Sequence, residues 1–212
     1  IASAFAGPSE IVVVADHSAP PSFAAVDVVV QAEHGPDGLA WLVCWDDTVA
    51  DAVSAEVARI TTESPRRAEI ESTLAVAGYA VVCRDEAQAM EVANAIAPEH
   101  LQLMTSDPEA LVPSVRNAGA IFCGPWSPAS LGDYVAGPSH VLPTDGTARF
   151  SSALTVGDFQ KHHHVITFSP AEAAALAPAV EAFATAEGLD AHALSARLRR
   201  EAFEGTTGEG SR

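Results

Sequence analysis

The run Ile11-Val12-Val13-Val14-Ala15, closed by Asp16, constrains the fold more than any other part of the chain. Its residues are all apolar and mostly β-branched, so a strand made of them has no polar face to give to water. It must be covered on both sides, as strands of parallel sheets are by their crossover helices. The following sequence keeps to that pattern. Phe23 to His34 reads as a helix stopped by Gly35, a residue suited to the C-terminal cap. Trp41-Leu42-Val43-Cys44-Trp45 reads as a second strand. Thr48 to Ile60 and Arg67 to Val76 read as helices, the latter ended by Gly78. Tyr79 to Cys83 reads as a third strand, and Glu86 to Ile96 as a helix closed by Pro98. A short strand at Leu101–Met104, a helix from Pro108 to Asn117 and a strand at Ala120–Cys123 complete the alternation. A layered α/β sheet follows, with ligands expected beyond the carboxyl ends of the strands.

The pattern then changes. Pro, Gly and Ser dominate from Gly124 to Thr144, which reads as a long functional loop holding Asp133, Tyr134 and His140, with Arg149 just beyond. Past Ser169 the chain is Ala-rich, with helices expected at Ala171–Ala186 and Ala191–Ala202 and a frayed end from Gly205. The expected division is an α/β domain over residues 1–156, carrying most of the candidate residues, and a helical tail over 157–212. No repeats are visible. No GxGxxG or GxxxxGK[ST] follows a strand, so no nucleotide-phosphate loop is expected.

Charge and composition exclude several classes. A net charge of −17 argues against nucleic acid, which needs clustered Lys and Arg. The one basic cluster, Arg197, Arg199 and Arg200, reads as a solvated helix face. No apolar run reaches membrane-spanning length. Residues Ile1 to Asp16 lack a basic leader and are broken by Gly7-Pro8-Ser9-Glu10, so no signal peptide is expected there. Beginning at Ile1 rather than Met suggests a natural start further upstream. Cys44, Cys83 and Cys123 are odd in number and far apart, which suits buried reduced thiols in a cytoplasmic protein.

Several residue pairs have the chemistry of a reactive site. Gln31 and His34 stand three apart in a helical stretch and so share a face. They can hold one metal ion, or His34 can simply sit against the negative end of the helix. Asp133 after Gly132 is a metal-type carboxylate or a turn residue. His192 near the start of the last helix is a ligand candidate or a surface residue. Glu99-His100, just past a helix end, is either an acid–base pair, with imidazole suited to a base near neutral pH, or a solvent-facing Glu beside a partly buried His. If that segment is extended, the two side chains point to opposite sides. Lys161-His162-His163-His164 looks like a metal tract, but in a strand-like segment its imidazoles alternate faces, so a surface reading is preferred. Trp41 and Trp45 read as core residues rather than ligand platforms; Trp126 is left open.

Taken in order, several segments resemble the histidinol dehydrogenase family. They are Ala6-Gly7-Pro8-Ser9-Glu10, Gln31 to Gly35, Ala97 to Leu101, Asn117 to Phe122, Gly132-Asp133-Tyr134, His140 to Thr144, and Glu187-Gly188-Leu189 with His192. The likeness runs from about Ala6 to Arg200. It implies an enzyme that oxidises L-histidinol to L-histidine through an aldehyde with two NAD, in histidine biosynthesis. It implies zinc held by Gln31, His34, Asp133 and His192, and an acid–base pair of Glu99 and His100. Ser9, His140 and Glu187 would line the substrate pocket together with Gln31, His34, His100, Asp133 and His192. It further implies a homodimer in which Glu187 and His192 of the tail reach the neighbouring subunit's site. Family members carry a long portion before the Ala-Gly-Pro-Ser-Glu motif, with the main NAD-binding domain and part of the sheet. The expected fold is then an incomplete Rossmann-like sheet, helices on both faces, plus the C-terminal helical tail, with NAD-binding residues unassigned. The alternative is a non-catalytic zinc- or imidazole-binding module. For residues 1–212 alone, the expected outcome is no NAD reduction with histidinol; turnover at an ordinary enzymatic rate would contradict it.

Overall fold

The computed structural model describes residues 7–208, in two compact units, Ile1–Gln160 and Lys161–Arg212. Ala6 of the first motif, and residues 209–212 of the end expected to fray, lie outside the described residues.

In the first unit, β1 (Glu10–Ala15) is buried along its whole length at the centre of a parallel sheet. β2 (Leu39–Cys44) and β4 (His100–Met104) flank it, β3 (Gly78–Val82) lies outside β2, and β5 (Ala120–Cys123) lies outside β4. The order 3-2-1-4-5 is that of the doubly wound fold, with its reversal between β1 and β4. Register sets Ile11 opposite both Ala40 and His100, and His100 opposite Ala120.

Alternation along β1 divides the core. Ile11, Val13 and Ala15 pack under α1 (Pro21–Ala32), α2 (Asp47–Glu63) and α3 (Arg67–Ala77), against Val28, Val53 and Ile70. Val12 and Val14 face α4 (Glu86–Ile96) and α5 (Pro108–Leu111), against Met90 and Leu111. Each fully buried valine contributes about 1.5–3 kcal/mol by removal from water. Trp41 and Trp45 pack against the second cluster, whereas Trp126 is exposed and meets Phe23 edge to face.

Local chemistry sets the element ends. Asp46 and Asp85 cap α2 and α4 by accepting backbone N–H bonds from Thr48 and Gln88. At Gly78 a Cβ would lie 2.7 Å from Leu74 Cα, so only glycine lets α3 pass directly into β3. The helix expected over Pro108–Asn117 stops at Leu111 and continues only as a 3-10 turn over Val112–Ser114. Pro113 lacks the N–H that another α-helical bond requires. The loop expected over Gly124–Thr144 contains a further helix, α6 (Ala129–Tyr134), started by Pro128 and seated on the core through buried Ala129. The segment before Val165 is not a strand, and His162, His163 and His164 are all exposed.

The second unit is a helical hairpin of α7 (Pro170–Ala186) and α8 (Asp190–Gly208). Ser169 and Glu172 form a capping box at its start. The turn is a Schellman motif: Leu189 N–H donates to Ala184 O, Gly188 N–H to Thr185 O, and Gly188 takes φ +73. Arg197 and Arg200 both pair with Glu181 across the hairpin, more than the solvated face expected of them. α8 runs to Gly208, past the end expected at Ala202. No helix among the described residues is long and apolar enough to cross a membrane. Cys44, Cys83 and Cys123 are all free.

Asp27 is a charge in the wrong place for stability. It lies on the buried side of α1, and burial pushes its carboxyl up to about 6 from 3.8. The folded chain therefore holds this proton more tightly than the unfolded chain. Stability from the neutral carboxyl is complete below about pH 4 and is lost as pH rises through about 6. Asp27→Asn is expected to stabilise the fold by about 1–3 kcal/mol at pH 7, with little gain near pH 4. Urea unfolding at both pH values measures this, and equal gains at the two would contradict it.

Candidate active site

Ser9, Gln31, His34, Glu99 and His100 lie at the amino edge of the sheet, where Asp133 meets His100, and not beyond the carboxyl ends where ligands are expected. The topology explains why. α1 starts at the carboxyl end of β1 and must return to the amino end of β2, so its C-terminal turn, with Gln31 and His34, lies at the amino edge. Ser9 and Glu99 directly precede β1 and β4, and His100 opens β4. Phosphates favour the opposite edge, where helix N-termini point. Helix C-termini and carboxylates give this edge a negative potential, which suits a cation.

Glu99 and His100 meet around Glu10. The Glu10 N–H donates to Glu99 Oε2 at 3.0 Å, and the Glu99 N–H donates to Glu10 Oε2 at 3.1 Å. His100 Nδ1 donates to the Glu10 carbonyl at 2.9 Å and lies 3.4 Å from Glu99 Oε2. The two side chains converge, contrary to simple alternation, because Glu99 stands before the strand begins. Ala97 enables this: it closes α4 in the left-handed region, φ 57, and Pro98 follows. Burial opposes a charged His100, but the Glu99 carboxylate, the Glu10 carbonyl and Asp133 outweigh it and raise the imidazole above its ordinary value.

Asp133 sits at the end of α6 with Oδ1 3.4 Å from His100 Nε2. α6 approaches the sheet closely, for a Cβ at Gly132 would lie 2.7 Å from the Phe122 ring. Phe122 in turn lies beside the His100 ring, centroids 5.9 Å apart. Gln102, two residues along β4 on the same face, donates to Gly124 O at 2.8 Å and so holds the entry to α6.

Gln31 is 1% exposed, and its Nε2 has no hydrogen-bond partner among the described residues. Turning the amide by 180° puts its oxygen at the same place. His34 is exposed and its Nδ1 donates to Val30 O at 3.1 Å, which in the neutral ring makes Nε2 the nitrogen with the lone pair. That is the usual arrangement of a metal-binding histidine. Thr73, fully buried on α3, points its hydroxyl at Ala32 O (2.8 Å) and Gly35 O (2.5 Å), and Arg66 Nε donates to Glu33 O at 3.1 Å. Thr73 of α3 and Arg66, the residue that caps its start, hold the turn that carries Gln31 and His34, and no local sequence signal marks either.

Ser9 is half-buried, its carbonyl accepting from Leu39 N. His140 is exposed, ahead of the buried Leu142-Pro143-Thr144. Glu187 and His192 are exposed on the second unit, Glu187 as the C-cap of α7 and His192 in the first turn of α8. Among the described residues no three His, Cys, Asp or Glu side chains gather as a metal site. The expected set supplies only His34 and Asp133 of those types from the first unit, its third member there being the amide of Gln31. Glu10 was legible only as a charge directly ahead of an apolar run, a signal with no chemistry attached.

Comparison with known proteins agrees with this architecture. The family model described as histidinol dehydrogenase matches residues 2–200. A histidinol dehydrogenase of a Synechococcus species is 46% identical over 199 residues, covering 94% of this chain and 46% of the relative. One from Thiocapsa roseopersicina is 47% identical over 194 residues, covering 92% of this chain and 83% of the relative. The crystal structure of histidinol dehydrogenase from Elizabethkingia anophelis superposes with a TM-score of 0.89 at 32% identity, over 94% of this chain and 46% of that one. The chain thus spans about half the length of the Synechococcus and Elizabethkingia proteins, and the family model covers nearly all of it: it belongs to the histidinol dehydrogenase family.

Proposed function

We propose that this chain carries the zinc- and substrate-binding half of an enzyme that oxidises L-histidinol to L-histidine with two NAD. The observation that carries the reading is the His100 ring. One nitrogen is tied to Glu10, and the other, buried and without a hydrogen-bond partner among the described residues, faces the Asp133 carboxylate. A proton acceptor beside a metal-type ligand is what a metal-assisted alcohol oxidation needs.

The donors suit zinc: an amide left unpaired in a buried place, an imidazole with its Nδ1 already bonded, and a carboxylate. Gln31, His34 and Asp133 would hold it, with His192 of a neighbouring subunit as the fourth ligand. When bound, zinc would supply a template for the imidazole and amine of the substrate. NAD would supply the hydride acceptor; no residue of this chain is assigned to it.

His100 takes the alcohol proton at Nε2, since its Nδ1 proton is committed to Glu10. Its raised proton affinity, set by Glu99 and Asp133, strengthens it as a base. Glu99, at the same edge, then draws a proton from water as it attacks the aldehyde carbon. Ser9, His140 and the partner's Glu187 orient the substrate. The second unit suits a docking role: its buried residues are mainly alanines, while Phe183 and Leu198 remain exposed. Three free cysteines fit a cytoplasmic protein.

Zinc analysis of the purified chain tests the metal. His34→Ala is expected to weaken zinc binding by more than about 100-fold, and retained stoichiometric zinc would remove the site. In an enzyme of full family length carrying these residues, Glu99→Gln is expected to slow the second oxidation by on the order of 100-fold or more. The first should be largely spared, with the aldehyde supplied directly to separate the steps. Equal losses in both would refute the role given to Glu99.

A further inference from the structure

Glu10 is a buried carboxylate, 6% exposed, to which the proposed chemistry assigns nothing. Besides Glu99 N–H, it accepts from Asp145 N–H through Oε1 at 2.9 Å. Its backbone supplies two further bonds, N–H to Glu99 Oε2 and carbonyl to His100 Nδ1. One residue therefore joins segments 89 to 135 positions away in sequence.

Its surroundings leave little freedom. Asp145 takes a left-handed φ of +55, a conformation uncommon for a residue with a side chain, and its N–H is the one that Glu10 accepts. A Cβ at Gly7 would overlap Thr144 Oγ1, and one at Gly119 would lie 2.6 Å from Glu99 O and 3.1 Å from Pro143 Cδ. The starts of β1 and β4, the approach to β5 and the 142–146 turn thus abut one another around Glu10.

We propose that Glu10 is a positioning residue for Glu99 and His100, fastening the start of β4 and the turn behind His140 to the start of β1. The inference rests on the proton-transfer roles proposed for Glu99 and His100. Burial raises the proton affinity of Glu10, the expected cost of holding a second acid next to Glu99. The carboxylate is the one group of this length with an acceptor for each N–H. Glutamine turns an NH2 toward one of them, and aspartate is a methylene too short to span both.

The test uses Glu10→Gln and Glu10→Ala in an enzyme of full family length carrying these residues. The expected result is a kcat lowered about 10-fold by glutamine and about 100-fold by alanine, with KM for histidinol within a factor of about three. Folded variants with unchanged kcat, or with a loss confined to melting temperature, would overturn the proposal. Long-range nitrogen–proton NMR of the unaltered 212-residue chain gives a second reading that needs no variant. Neutral His100 should carry its proton on Nδ1, and a proton on Nε2 would overturn the proposal even if the variants fail to fold. Glu99→Gln and His100→Ala serve as controls. Wild-type rates in those two would sink the proposed function itself, whereas slow controls beside fast Glu10 variants would sink only this inference.

Discussion

β1 pairs with β4 rather than with β3, and the candidate site depends on that one adjacency. It aligns Ile11 with His100, so the residues one step back, Glu10 at the start of β1 and Glu99 just ahead of β4, face each other across the sheet edge. Each carboxylate then accepts the other's backbone N–H. Two acids packed this closely in a buried place would repel. Backbone donors offset that repulsion, and they exist only because the strand starts leave N–H groups outside the ladder. An ordinary feature of a parallel sheet, its unpaired first amides, becomes the anchor of the pair proposed for proton transfer.

The choice of edge follows from charge. The amino edge collects the C-terminal turn of α1, the end of α4, and Glu10, Glu99 and Asp133. Every one of these adds negative potential, and the resident imidazole is accordingly raised in proton affinity against the effect of burial. A dinucleotide would find poor company there, whereas a divalent cation bound to an imidazole–amine substrate would not. α3 serves the same edge from outside: Thr73 and Arg66 hold the carbonyls at the end of α1, which fixes where Gln31 and His34 can reach.

Much of this was legible in the residues. The apolar strand required helices on both sides, and the alternation predicted every strand of the sheet within one or two residues. The motif residues could be named as candidates because Glu-His and Gln-x-x-His carry recognisable chemistry. Three features were not legible. α6 hides in a Pro- and Gly-rich segment, since a helix this short is held by Ala129 in the core rather than by its own propensity. Pro113 ends a helix that periodicity would have continued. Glu10 and Thr73 gain their meaning from partners 38 to 135 residues away, and no local pattern encodes such a partner.

By itself the amino-acid sequence determined the class of fold, since side-chain period and burial demand are local properties of a strand or helix. It also determined which residue types were available for metal and proton chemistry, and the family to which the chain belongs. Only the tertiary structure decided which edge of the sheet gathers them, and that Glu99 and His100 share a neighbour instead of facing apart. The reason is physical: strand order and crossover direction set those positions, and both are properties of the whole packed sheet.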